Sequence, residues 1–292
     1  LKVLLTGRHG QLGQALQASC PADIELIAWG RKELDLSDAD ACQQAVQSLK
    51  PDWVLNAGAY TAVDRAESEP ELSWKVNAEA PKAFAEALAN SGGRLLQVST
   101  DFVFNGKQGH PYTTQQAVDP IGVYGSSKAG GEKAVLEMLP PERACILRTS
   151  WVYGPVGKNF CLTMLRLHAE RGAAGMPLSV VADQVGCPTA TPGLAEACWT
   201  ALKLNVSGVH HWSDAGAASW YDFATAIGVI GAAAGFVPKP AEVKPIRTLD
   251  YPTPAKRPSY SLLDCASTRT ALGIEPKHWQ EALQTVIHQI KP

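Results

Sequence analysis

Short aliphatic runs alternate along the first half of the chain with longer segments whose apolar positions recur every three or four residues. KVLLT (2–6) precedes GQALQAS, IELIAW (24–29) precedes DADACQQAVQSL, and DWVLNA (52–57) precedes an Ala-rich stretch reaching Asn90. RLLQVST (94–100) is followed by a run of helix formers from Ser126 to Met138, and then by ACILRTS (144–150). This rhythm predicts βαβ units and an α/β fold, a Rossmann-type doubly wound parallel sheet with helices on both faces. Such sheets bind ligands beyond the carboxyl ends of their strands, so residues just after each strand are the first candidates for function.

After Trp151 the pattern changes. Turn-rich pieces (GPVGKN, Ala182 to Gly193, DYPTPAKRP) separate helical patterns at 160–171, 194–204 and 219–234. The expected organisation is a dinucleotide-binding domain over 1–150 and a smaller, mainly substrate-binding lobe over 151–292, with GVHHWSD (208–214) returning to the first sheet. In the last helical pattern, 278–290, Trp279, Leu283, Val286, Ile287 and Ile290 share one stripe, as core packing requires.

Composition narrows the class. Across 292 residues, 46% hydrophobic and 18% charged content is that of a globular protein with a sizeable core. A net charge of −2 supplies no basic field for nucleic acid or an acidic membrane surface. The seven cysteines lie apart, without CxxC spacing, and read as small buried apolar groups in a reducing compartment. No apolar run approaches the roughly 18 residues of a membrane span, so a cytoplasmic protein without membrane or nucleic-acid partners is expected.

Gly7, Gly10 and Gly13 follow the first strand and open the first helix. Glycines there let the backbone turn tightly and approach a pyrophosphate, whose charge rests on the helix N-terminal N–H groups. The next strand decides the dinucleotide, because a carboxylate at its end holds the ribose of NAD. Arg31 stands there, with no carboxylate immediately after the apolar run, and an arginine suits a 2′-phosphate; Arg8 adds a second positive charge. The expected cofactor is NADPH, with NADH possible.

Tyr124 precedes Lys128 by four residues, just after Pro120 and Gly122, where a helix begins. The spacing places an ammonium beside a phenol on one helix face. Alone it is a weak signal, since a solvated Lys beside a half-buried Tyr satisfies it equally. With GxxGxxG, NAGAYT, STDFVF, YGSSK and the following GE, the chain resembles the extended short-chain dehydrogenase/reductase family. STDFVF, RTSWVYG, ADQVGCPT and TPAKRP are similar, within it, to reductases of dTDP-linked keto-sugars, over nearly the whole length.

The resemblance implies a nucleotide-sugar substrate and a catalytic set of Thr100, Tyr124 and Lys128, with Tyr124 the proton donor to a sugar ketone. It gives Lys128 a further contact to the nicotinamide ribose. Gly10, Gln11 and Leu12 fall at the pyrophosphate loop, Asp35 and Leu36 at the adenine, and Ala59, Tyr60 and Thr61 along the dinucleotide. Asp101 and Trp151 fall at the sugar nucleotide; Asn77 and Asn159 match less firmly. Some relatives hold Mg²⁺ between subunits through glutamates, and Ala15 and Pro192 stand at the matching positions, so no metal is expected. That leaves monomer and homodimer both open. A nucleotide-sugar epimerase, and a non-catalytic subunit resembling the regulatory subunit of methionine adenosyltransferase, are the alternative functions.

Overall fold

The computed structural model describes residues 1–290. Its main sheet has six parallel strands: β1 (Lys2–Thr6), β2 (Glu25–Trp29), β3 (Trp53–Asn56), β4 (Arg94–Thr100), β5 (Ala144–Thr149) and β6 (Gly208–Trp212), in the order β6-β5-β4-β3-β1-β2. The chain reverses direction across the sheet between β1 and β3, which opens a crevice at their carboxyl ends. β1 to β5 fall in the predicted aliphatic runs, and β6 falls in the returning segment GVHHWSD.

Alternate residues of the strands face opposite layers. Val3 and Leu5 of β1, with Trp53, Leu55 and Leu147, pack under α1 (Gln11–Ala18) and α6 (Thr191–Lys203) through Leu12, Leu16, Leu194 and Trp199. Leu4, Val54, Leu95 and Ile146 face α2 (Ala39–Leu49), α3 (Ala80–Ser91) and α4 (Val123–Met138) through Val46, Phe84, Leu88 and Val135. Local signals set the helix ends: the Asp38 side chain caps α2 by accepting the Ala41 N–H, and Gly92 closes α3 in the left-handed region.

A second core lies beyond the sheet. It gathers Tyr153, Cys161, Leu165, Phe223, Ile227 and Trp279 from α5 (Phe160–Ala173), α7 (Trp220–Ala233), α9 (Trp279–Gln289) and the segments between them. The span after residue 150 therefore divides between two cores. β6 returns to the sheet beside β5, and both α6 and Leu272 of α8 (Ala266–Leu272) join the sheet layer. The reason is the apolar face of α6: Leu194, Cys198 and Trp199 cover β-strand residues and α1, and the Trp199 indole donates to the Leu16 carbonyl at 3.3 Å.

One buried ion pair ties α4 to the sheet. Glu132 accepts two bonds from Arg148 Nε, at 3.0 and 3.1 Å, and one from Nη2 at 2.7 Å, and it also accepts the Ser99 hydroxyl. Both side chains are almost fully inaccessible. Removing one partner of such a pair strands a buried charge, so Arg148→Met is expected to cost about 3–5 kcal/mol in urea unfolding. The double replacement Glu132→Leu with Arg148→Met is expected to recover much of that loss. Equal midpoints for the single variant and the parent chain would refute the structural role assigned to the pair.

Candidate active site

The glycine loop makes a cradle. Gly7 has φ of 72°, and a Cβ there would stand 2.7 Å from the Cα of Gly58. A Cβ on Gly13 would overlap the Gly7 carbonyl, so α1 packs onto the loop only through glycine. Gly10 caps α1 with no side-chain bond, and the first turn has no acidic residue. The N–H groups of the first turn are thus left for an anion, and the loop fits a dinucleotide pyrophosphate. Gln11 and Leu12 lie on that turn, and Asn159 Nδ2, from beyond the cleft, donates to Gln11 Oε1 at 2.8 Å.

Leu36 lies against Gly58, its Cδ1 2.6 Å from where a Cβ on that glycine would stand. Asp35 Oδ1 accepts the Ser37 N–H at 3.0 Å and its hydroxyl at 2.8 Å, which hold the carboxyl below the usual range. Ala59, Tyr60 and Thr61 follow β3. Here the structure adds a residue the sequence marked only faintly. Asn77 sits on a π-helical turn, Lys75–Glu79, where its Oδ1 accepts the Tyr60 N–H at 2.9 Å and its Nδ2 donates to the Tyr60 carbonyl at 3.0 Å. It also donates to Ser127 Oγ on α4, so one buried amide sets the Tyr60 loop against the tyrosine helix. π-turns often mark such positions, but KVNAE reads as ordinary helix.

Thr100, Tyr124 and Lys128 converge at the end of β4. Thr100 Oγ1 accepts the Phe102 N–H at 3.2 Å and donates to Asp101 Oδ1 at 3.0 Å. Tyr124 packs edge-on against Phe102, ring centroids 5.5 Å apart. Burial pushes its phenol up to about 12; a hydrogen bond with Thr100 opposes the shift and the Asp101 charge reinforces it. Asp101 is buried with Oδ2 unpartnered, and desolvation lifts its carboxyl to about 6 against the pull of Ser261 and Thr100.

Lys128 is buried on α4. Its ammonium donates to the Val98 carbonyl at 2.6 Å, not to the Tyr124 phenol one turn away. Desolvation brings it down to about 8, with Glu132 resisting. The physical reason is burial: with a carbonyl in reach and no phenolate to pair with, the ammonium takes the better acceptor. Trp151 reaches the cleft from the far side with φ of 48°, and its ring stacks on Trp220 at 3.6 Å. Arg31 is peripheral, its side chain 78% exposed and its Nε 3.5 Å from Asp35 Oδ2. Among the described residues no three His, Cys, Asp or Glu side chains converge as a metal-ligating group, and no helix is long and apolar enough to cross a membrane.

The comparisons agree with this geometry. The family model described as the RmlD substrate binding domain matches residues 1–291. A dTDP-4-dehydrorhamnose reductase of Aggregatibacter actinomycetemcomitans is 40% identical over 294 residues, covering 98% of each chain. The chain belongs to the dTDP-4-dehydrorhamnose reductase family. Crystal structures of the Clostridium acetobutylicum and Bacillus anthracis reductases superpose with TM-scores of 0.91, at 36% and 34% identity and with 99% of each chain covered. The Bacillus anthracis protein is in complex with NADP.

Lys128 yields a stability prediction. Its pKa is 10.5 in the unfolded chain and about 8 in the fold, so between these values the unfolded state binds more protons and stability rises with pH. Below about 8 the fold carries the whole cost of the buried charge, about 3 kcal/mol before the Val98 bond is set against it. Lys128→Met is therefore expected to be more stable than the parent at pH 7, by about 1–3 kcal/mol, with the advantage shrinking toward pH 10.5. Urea unfolding at pH 7 and 10 checks it; a less stable variant at pH 7 would contradict the assigned burial cost.

Proposed function

We propose that this protein reduces the C4 ketone of dTDP-4-dehydrorhamnose to the alcohol of dTDP-L-rhamnose. NADPH is the expected reductant, with NADH also accepted, and Tyr124 is the proton donor. The observation that carries the reading is the meeting of Thr100, Tyr124 and Lys128 at the end of β4, beside a cradle shaped for a pyrophosphate. It is joined by near-full-length similarity to proteins named for that reaction.

Gly7 to Gly13 and Ala59 to Thr61 would hold a reduced nicotinamide dinucleotide, which would supply the hydride; everything else is asked of side chains. Charge builds on the ketone oxygen as it becomes an alkoxide. At neutral pH the Tyr124 phenol, raised to about 12, is fully protonated, and it remains a stronger acid than an alcohol. It is thus loaded to give its proton when the oxygen needs it. Thr100 directs its own proton to Asp101 and accepts the Phe102 N–H, which leaves one lone pair to orient the Tyr124 hydroxyl. Lys128 is mostly an ammonium at pH 7 and stands one turn along the helix from Tyr124, where its field stabilises the phenolate left behind. The stacked indoles of Trp151 and Trp220 offer a flat apolar wall to the sugar nucleotide.

The assay follows the loss of NADPH absorbance against dTDP-4-dehydrorhamnose. Stoichiometric loss is expected, whereas conversion of the sugar without net loss would sink the reductase reading in favour of an epimerase. Tyr124→Phe, which removes one hydroxyl, is expected to lower kcat by about 10² or more with NADPH affinity and fold retained. Near-parental kcat would remove Tyr124 from the chemistry.

A further inference from the structure

The carboxyl end of β2 holds a carboxylate that the linear sequence hides. A turn returns the chain after Gly30, with the Glu33 and Leu34 N–H groups donating to the Gly30 carbonyl at 3.2 and 3.0 Å. Glu33 Oε2 accepts the Gly30 N–H at 2.9 Å, and its Oε1 lies 3.2 Å from Arg8 Nη2. Arg8 is held at two further points, donating from Nε to His9 Nε2 at 3.0 Å and from Nη1 to the Ala28 carbonyl at 3.3 Å. Gly30 makes this closure possible, because a Cβ there would stand 2.6 Å from His9 Cδ2 and 3.3 Å from Glu33 Oε2. Arg31, the residue expected to read a 2′-phosphate, instead extends into solvent beside Asp35. The cation fixed nearest the strand end is Arg8, and it already faces a carboxylate.

We propose that Glu33 decides between the 2′-hydroxyl and 2′-phosphate forms of the cofactor, an inference that rests on the nicotinamide-dinucleotide reading of the glycine loop. In the position it holds here, the Glu33 carboxylate is an acceptor for ribose hydroxyls, as a carboxylate at the end of this strand is in NAD sites. In the same position it neutralises Arg8 and repels a phosphate. Admitting NADPH requires the carboxylate to turn outward and release Arg8, whose guanidinium then offers a charge-assisted fork to the phosphate. The side chain is one-third exposed and its bonds rotate freely, so both positions are open to it. Glu33 thereby lets one site take either cofactor, and sets the ratio.

The test is direct binding, by calorimetry at low ionic strength, of NADH, NADPH, ADP and 2′,5′-ADP to the parent chain, Glu33→Gln and Glu33→Gln with Arg8→Met. Glu33→Gln keeps the shape and removes the charge. It is expected to tighten NADPH and 2′,5′-ADP and to weaken NADH and ADP, which share the free ribose hydroxyls, shifting the ratio of the two dinucleotide Kd values by about tenfold toward NADPH, or about 1.4 kcal/mol. Adding Arg8→Met is expected to abolish that gain. An unmoved ratio with both dinucleotides still bound would overturn the role of Glu33, and a gain that survives loss of Arg8 would overturn the pairing argued for it. If the parent chain binds neither dinucleotide nor ADP, the underlying cofactor reading fails instead.

Discussion

A single buried lysine organises this molecule. Lys128 cannot reach water, so its ammonium must find oxygen inside the protein, and it finds the Val98 carbonyl. That carbonyl also accepts Gln97 Nε2 at 2.9 Å, while Gln97 Oε1 takes the Asn56 amide at 2.7 Å and Asn56 Oδ1 takes the Thr6 hydroxyl at 2.5 Å. Thr6 in turn accepts the Gly58 N–H at 3.0 Å, beside the glycine loop. On the other side Glu132, one turn beyond Lys128, meets Arg148, which contacts His211 on β6 at 3.3 Å. A polar chain therefore crosses the sheet near its carboxyl ends, through strands that are otherwise aliphatic. Within each arm the groups pair with one another, and across α4 the Lys128 and Glu132 charges meet only through their fields; a half-satisfied version would cost more than an apolar core. The price of keeping an ammonium next to Tyr124 is this whole crossing.

The same burial shapes the chemistry. A proton donor for ketone reduction needs to be protonated before the reaction and tolerated as an anion after it. In the proposed reaction desolvation, which raises Tyr124, would serve the first condition, and the nearby ammonium of Lys128 would serve the second. The two demands conflict, since an ammonium in hydrogen-bond contact with the phenol would depress its pKa early. With Lys128 held on a backbone carbonyl one turn away, the proposed reaction would keep the charge near the phenol without a direct bond to it before the proton moves.

Much of this was readable in the order of residues. Aliphatic runs located five of the six strands of the sheet, because a parallel strand buried on both faces has little freedom in composition, while the edge strand GVHHW was marked only as a returning segment. Glycine spacing located the cradle, since no other residue lets α1 approach Gly7 so closely. Neighbour relations were not readable: the apolar stripe of α6 suits either core, and only the assembled sheet shows that it covers α1. The site failed to read where the chain folds back on itself. Glu33 stands three residues past Gly30, and only the turn shows that its carboxylate comes back to the strand end, where the chain order shows Arg31 first. For Lys128, helical spacing shows that it shares a face with Tyr124 but not which acceptor its ammonium takes, here the Val98 carbonyl.

The division into two cores explains why the substrate side differs in character from the cofactor side. Thr100, Tyr124 and Lys128 all belong to the sheet layer, where hydrogen bonds and close packing hold them. Trp151 lies across the cleft, in a left-handed conformation that costs a bulky residue about 1–3 kcal/mol. Its stack on Trp220 and the contacts of Gly186 against its indole hold it there. Polar bridges join the sheet to the second lobe's segments: Asn159 to Gln11 at one place, and the Arg257 fork on Asp64, at 2.8 and 3.0 Å, at another. Trp151 thus stands with the second core, and the Asn159 and Arg257 bridges tie that side to α1 and to the segment after β3. The strained residue therefore lies apart from the closely packed layer that holds Thr100, Tyr124 and Lys128, and its strain is carried by aromatic stacking where theirs is a matter of hydrogen bonds.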